Sequence, residues 1–138
     1  MDNEQYKIAH LNMVQNVINR MGNNCFLIKG WAITLLSALL TVLWEKGHLW
    51  IMFIPLILFW YLDSFYLRQE RLYRNLYNKI IVGDQAVVKY SLCTKNCENN
   101  KTKLQAAAFS RSIAPFYVTI AALPLSYCLF SLLKYLLK

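Results

Sequence analysis

The chain has 138 residues, 57% of them hydrophobic and 16% charged, with a formal net charge of +8. An ordinary soluble domain carries about 25% charged residues, so this composition excludes one and calls for an integral membrane protein. Spans of about 20 residues each take up nearly half the length, which leaves room for a single domain.

Residues 1–24 read as a cytosolic amphipathic helix. From Glu4 to Met21 the stripe Ile8, Leu11, Val14 or Gln15, Ile18 and Met21 recurs at helical spacing, with Asn12, Asn16, Asn19 and Arg20 off it. The stripe has too few lysines around it, and no aromatic anchor, for a dedicated membrane-surface helix, so packing against another helix is expected. Gly22, Asn23 and Asn24 are expected to break it. The polar start of the chain shows no cleavable leader pattern, so insertion is expected to use the first span.

Residues 25–67 read as a transmembrane hairpin. Its first span runs from about Cys25 to Trp44 with Lys29 the only charge inside, and Trp31 and Trp44 fall near its ends, where an aromatic belt belongs. Ser37, Ala38 and Thr41 form a small-residue face suited to close contact with another helix. A tight turn at Glu45, Lys46, Gly47 and His48 leads to a second span, Leu49 to Leu67, with a kink expected at Pro55.

Residues 68–110 read as a basic cytosolic strut and loop. No Gly or Pro lies between Pro55 and Gly83, so the second span should leave the bilayer unbroken. Leu72, Tyr73, Leu76, Tyr77, Ile80 and Ile81 draw one apolar stripe beyond the boundary, and Leu72, Leu76 and Ile80 are the expected seat of the N-terminal helix. Arg68, Arg71, Arg74 and Lys79 are read as a basic vestibule or partner surface, with Glu70 four residues before Arg74 supporting the helix. Gly83 and Asp84 end it; residues 85–94 are expected to form an irregular loop or an edge that pairs with another copy.

Residues 111–138 read as a third transmembrane segment, kinked or partly broken at Pro115 and Pro124, with Lys134 and Lys138 snorkelling at its far end. A re-entrant pair split at Pro124 is the alternative. Of the fifteen Lys and Arg residues, nine lie from Arg68 to Arg111, the signature of a segment kept in the cytoplasm. That topology accounts for the charge without specific nucleic-acid binding, and it puts the N-terminus in the cytosol.

Asp63 sits about one turn inside the boundary, where an unpaired carboxylate costs on the order of 2.5 kcal/mol at full depth. An antiparallel hairpin brings Lys29 to its level, and Arg111 enters the third span at comparable depth, which predicts a Lys29, Asp63, Arg111 cluster at the cytosolic rim. Two uses stay open: a static pair that fixes register, or a gate or selectivity ring completed by symmetry copies.

Neither a metal site nor a cofactor site is expected, because Cys93 and Cys97 stand without a histidine at zinc spacing and His10 and His48 lie far away. Catalytic motifs such as GxSxG, HExxH or a P-loop are absent from the sequence, so an enzyme is not expected.

The segments HLNMVQNVINRMGNNCFLIKGWAITLLSALL, FWYLDSFYLRQERLYRNLY and SRSIAPFY together resemble small bacterial membrane effectors that accompany antiphage genes. The plan is similar to that of the SLATT effectors, in which a membrane hairpin runs into a long cytosolic helix; a third span departs from it. The resemblance implies a homo-oligomeric pore or channel in the bacterial inner membrane, silent until a cytosolic defence protein or a nucleotide signal acts on it. The contrasting expectation is a non-conducting anchor, or an accessory subunit, that recruits a partner through the basic helix.

Overall fold

The computed structural model describes residues 3–83 and 90–137. Four helices carry the chain: α1 (Asn3–Lys46), α2 (Phe53–Val82), α3 (Leu104–Ala108) and α4 (Ala114–Leu136), with short 3-10 turns at Leu49–Met52, Lys95–Cys97 and Asn100–Thr102. All regular structure among the described residues is therefore helical. Three segments, Glu4–Lys46, Leu49–Val82 and Ala114–Lys134, are long and apolar enough to cross a membrane.

The expected break at Gly22 does not occur. α1 runs without interruption through Gly22, Asn23 and Asn24, for 44 residues or about 66 Å at 1.5 Å per residue. The penalty of one helical glycine, about 1 kcal/mol, is small beside the packing that α2 provides along the same length. A β-carbon added at Gly22 would meet only Glu70 Oε2, at 3.9 Å, an ordinary contact. Gly22→Ala is accordingly expected to stabilise the protein by about 0.5–1 kcal/mol, read as a raised thermal midpoint in detergent; an unchanged or lowered midpoint would contradict a continuous helix here.

Gly47, with φ of 68°, turns the chain after α1. α2 then runs antiparallel to α1, held at its far end by Lys7, whose Nζ donates to the carbonyl of Ile81 at 2.7 Å. Pro55 falls in the first turn of α2, where its missing N–H has no intrahelical acceptor to lose, so the expected kink has no cause. The helix stays unbroken to Gly83, whose φ of 79° makes the left-handed cap and whose N–H donates to the carbonyls of Lys79 and Ile80.

Two hydrophobic cores divide this hairpin. Toward the turn, Leu36, Leu43, Leu49, Met52 and Leu56 pack with Ile113 and Tyr117 of the final segment. At the polar end Val14 and Ile18 of α1 close on Leu72, Leu76 and Ile80 of α2 and on Cys97, so the apolar stripe of the strut receives the N-terminal part of the chain as its spacing predicts. Ile8, assigned to the same stripe, is exposed.

α3 ends in a turn from Phe109 to Ile113, and α4 starts with Pro115 in its first turn, another position that needs no donor. α4 continues through Pro124 as one helix, so the segment is not broken at either proline and is not divided into a re-entrant pair. It lies against α2, and its Tyr127 ring meets Trp44 at the end of α1 with centroids 5.6 Å apart. Gln85–Lys89, part of the β-leaning stretch, lie outside the described residues; Tyr90–Thr94 form turn and irregular backbone.

Candidate functional site: a buried ion pair between two cores

Between the two cores lies a polar layer. Asp63 is completely buried on α2, and its Oδ2 meets Nζ of Lys29 on α1 at 2.5 Å. Antiparallel packing sets this pairing: with Lys7 level with Ile81 near the polar end, Lys29 comes level with Asp63 further along, and no other described cation is ion-paired to Asp63. Lys29 keeps 22% of its side chain exposed and lies 5.9 Å from the ring centroid of Phe116, so its charge is shared between a carboxylate and an aromatic face. Asp63 Oδ1 has no hydrogen-bond partner among the described residues.

Neighbouring polar groups complete the layer and fasten all four helices. The Cys25 thiol donates to the carbonyl of Asp63, and Ser64 Oγ donates to the carbonyl of Trp60 one turn back. Tyr117 Oη on α4 donates to the carbonyl of Phe59 at 3.1 Å, while Trp60 Nε1 donates to the carbonyl of Ala108 at the end of α3 at 3.2 Å. Such a layer orients α3 and α4 on the hairpin through directional bonds where apolar contact alone is degenerate.

Arg111 is not part of it. The turn from Phe109 to Ile113 buries Ile113 and sends Arg111 outward, exposed and without an ion pair among the described residues. One carboxylate balances one cation here, and a second cation would bring an unmatched charge into the layer.

No family model, curated protein or solved structure matches this chain.

The basic face of α2 has a use that the sequence reading did not assign. Arg68 Nε donates to the carbonyl of Thr102 and its Nη2 pairs with Glu98 at 2.8 Å; Arg71 Nη1 donates to the carbonyls of Lys101 and Ala106; Lys79 Nζ donates to the carbonyl of Asn96. Asn75, overlooked in the sequence, joins them by donating to the carbonyl of Cys97 at 2.9 Å. Positions 68, 71, 75 and 79 form one stripe of donors, and the segment from Asn96 to Ala106, built of two short 3-10 turns and the start of α3, finds partners there for carbonyls that such short elements leave open. The spacing of those four donors was the available signal. Three of the four cations offered as a vestibule therefore hold the protein's own loop. Arg74 alone points to solvent, pairing Glu70 at 2.6 Å as the four-residue spacing predicts.

Ser37, Ala38 and Thr41 remain exposed on α1, whose buried side is formed by Ala32, Leu36 and Leu43. The small-residue face thus lies off the side by which α1 packs on the other described helices. No group of His, Cys, Asp and Glu that could hold a metal occurs among the described residues.

Proposed function

We propose that the chain is a membrane effector of the bacterial inner membrane that assembles with copies of itself into a channel or pore. In this reading the Val14 to Leu76 core and the loop form a cytosolic stalk, where a signal or partner acts. Membrane embedding is supported by the outer surface of the helices. Phe26, Trp31, Ile54, Leu58 and Phe130 are all more than half exposed, a poor arrangement in water and an ordinary one in lipid. The hydroxyls of Thr34, Thr41, Thr119 and Ser126 each donate to a carbonyl of their own helix, as hydroxyls facing hydrocarbon must.

The observation that carries self-assembly is the uncovered face Ser37, Ala38, Thr41. Small residues allow the backbone of a second helix to approach closely, and three spans in one chain are too few to line a water path. The Lys29–Asp63 pair is the element offered as gate or rim, since ionisable side chains within a membrane span by default mark a functional path. The antiphage setting rests on the resemblance of plan alone.

Purified protein reconstituted in liposomes is expected to conduct ions and to run as an oligomer in detergent, and Ala38→Leu is expected to reduce both oligomer fraction and conductance by about tenfold, the effect of roughly 1.4 kcal/mol at the contact. A monomer that leaves liposomes sealed overturns the pore. That outcome favours a non-conducting anchor, the weaker reading at present because Arg68, Arg71 and Lys79 are already engaged with the chain's own loop.

A further inference from the structure

We propose that the groove between α2 and the Asn100–Thr102 turn is a binding site for a phosphate-bearing anion. The groove is a cavity of about 590 Å³, and its wall includes Arg71, Arg74 and Lys101 with no Asp or Glu among the lining residues. Asn78 and Asn100 add two exposed amides that make no hydrogen bond through their side chains among the described residues.

Two of the three cations, Arg71 and Arg74, are held in place with donors to spare. Arg71 spends Nη1 on two loop carbonyls, which fixes its guanidinium, and its Nε and Nη2 are uncommitted among the described residues. Arg74 is steadied by Glu70 through Nη2 and retains its remaining donors. Lys101 projects from the turn with no ion pair of its own among the described residues. Preorganised guanidinium groups opposite a lysine suit phosphate oxygens, which accept charge-assisted bonds from several donors at once.

A neighbouring groove shows why the assignment falls here. On the other side of the same turn a cavity of about 840 Å³ is lined by Arg68 and Lys103 but also by Glu98, and Arg68 is bound to that carboxylate. There one carboxylate in the lining meets two cations; the first groove has three cations, of which Arg74 alone is ion-paired, to Glu70 outside the lining.

If α2 leaves lipid near Leu67, Arg71 lies about 6 Å and Asn78 about 16 Å above the boundary at 1.5 Å per residue. A phosphate there has two sources, an anionic lipid headgroup or a soluble phosphate compound, and the same side chains serve both. The site does not depend on conduction, so an empty groove and a silent pore are separate failures.

The full-length chain in phosphatidylcholine nanodiscs, titrated with inorganic pyrophosphate by calorimetry, tests the soluble source. Nanodiscs mixing phosphatidylcholine and phosphatidylglycerol, with retained lipid measured by native mass spectrometry, test the headgroup. At least one probe is expected to bind, about tenfold more weakly in Arg74→Gln and in Lys101→Gln, with Lys103→Gln within about twofold of wild type. The Lys101 side chain makes no hydrogen bond or ion pair among the described residues, so its variant is expected to keep the helical circular dichroism of wild type. Binding of neither probe, or equal weakening by Lys103→Gln, overturns the site.

Discussion

Lys29→Met is expected to destabilise the protein by about 3–5 kcal/mol, more than removal of its partner. Methionine keeps the length of the side chain and removes its charge, which leaves the Asp63 carboxylate fully buried with no cation against it. The other polar groups of the layer bring no charge in its place: the Cys25 thiol and the Tyr117 hydroxyl lie beside the Asp63 carboxylate, but both are neutral and each also donates to a backbone carbonyl. Asp63→Asn strands Lys29 instead, but that side chain is 22% exposed and four methylenes long, so it can carry its charge outward. A cost of about 1–2 kcal/mol is expected for Asp63→Asn, the range for a buried polar group that loses one partner. The double replacement Lys29→Met with Asp63→Leu should return to within about 1 kcal/mol of wild type, because an apolar pair removes the desolvation of both charges. Denaturant midpoints of the four proteins in one detergent give the coupling directly. If Lys29→Met costs no more than Asp63→Asn, the carboxylate is not the group whose burial needs compensation.

Leu76→Ala is the second change with a large expected effect, about 2–5 kcal/mol. Leu76 is 2% exposed and packs among Val14, Ile18, Leu72, Ile80 and Cys97, so the deletion leaves a cavity at the centre of the smaller core. That core holds the N-terminal third of α1 against the end of α2, while the larger core lies elsewhere around Leu36, Leu49 and Ile113. The damage should therefore be local: faster amide exchange in residues 4–20 and 72–82, with protection retained around Leu36 to Leu56. Val82→Ala, at a position 84% exposed, serves as the comparison and is expected within about 0.5 kcal/mol of wild type. Equal midpoints for the two variants would show that α1 and α2 are not held together at this end by the Leu76 contacts.

The two predictions act on different links between the same helices. Lys29 and Asp63 fix which residues of α1 and α2 come level, and Leu76 supplies apolar area that is indifferent to a small slide. The donor stripe at Arg68, Arg71, Asn75 and Lys79 couples the loop to both, since it begins one turn beyond Ser64 and ends beside Ile80.

Local pattern determined the helices and the faces they pair. The absence of Gly and Pro between Pro55 and Gly83 made α2 continuous, its stripe at Leu72, Leu76 and Ile80 designated where α1 would pack, and hairpin geometry placed Lys29 level with Asp63. Only the tertiary structure decided what overrode local preference. Gly22, Asn23 and Asn24 are weak helix formers, but a helix braced along its length by α2 absorbs a penalty of about 1 kcal/mol that would fray an isolated one. Arg111 belonged with Asp63 by depth along the chain, and the turn from Phe109 to Ile113 aimed it away. The basic stripe was read as a surface for others because its acceptors are backbone carbonyls, which every residue carries and no sequence pattern marks; their position becomes known only once the chain has folded back on itself.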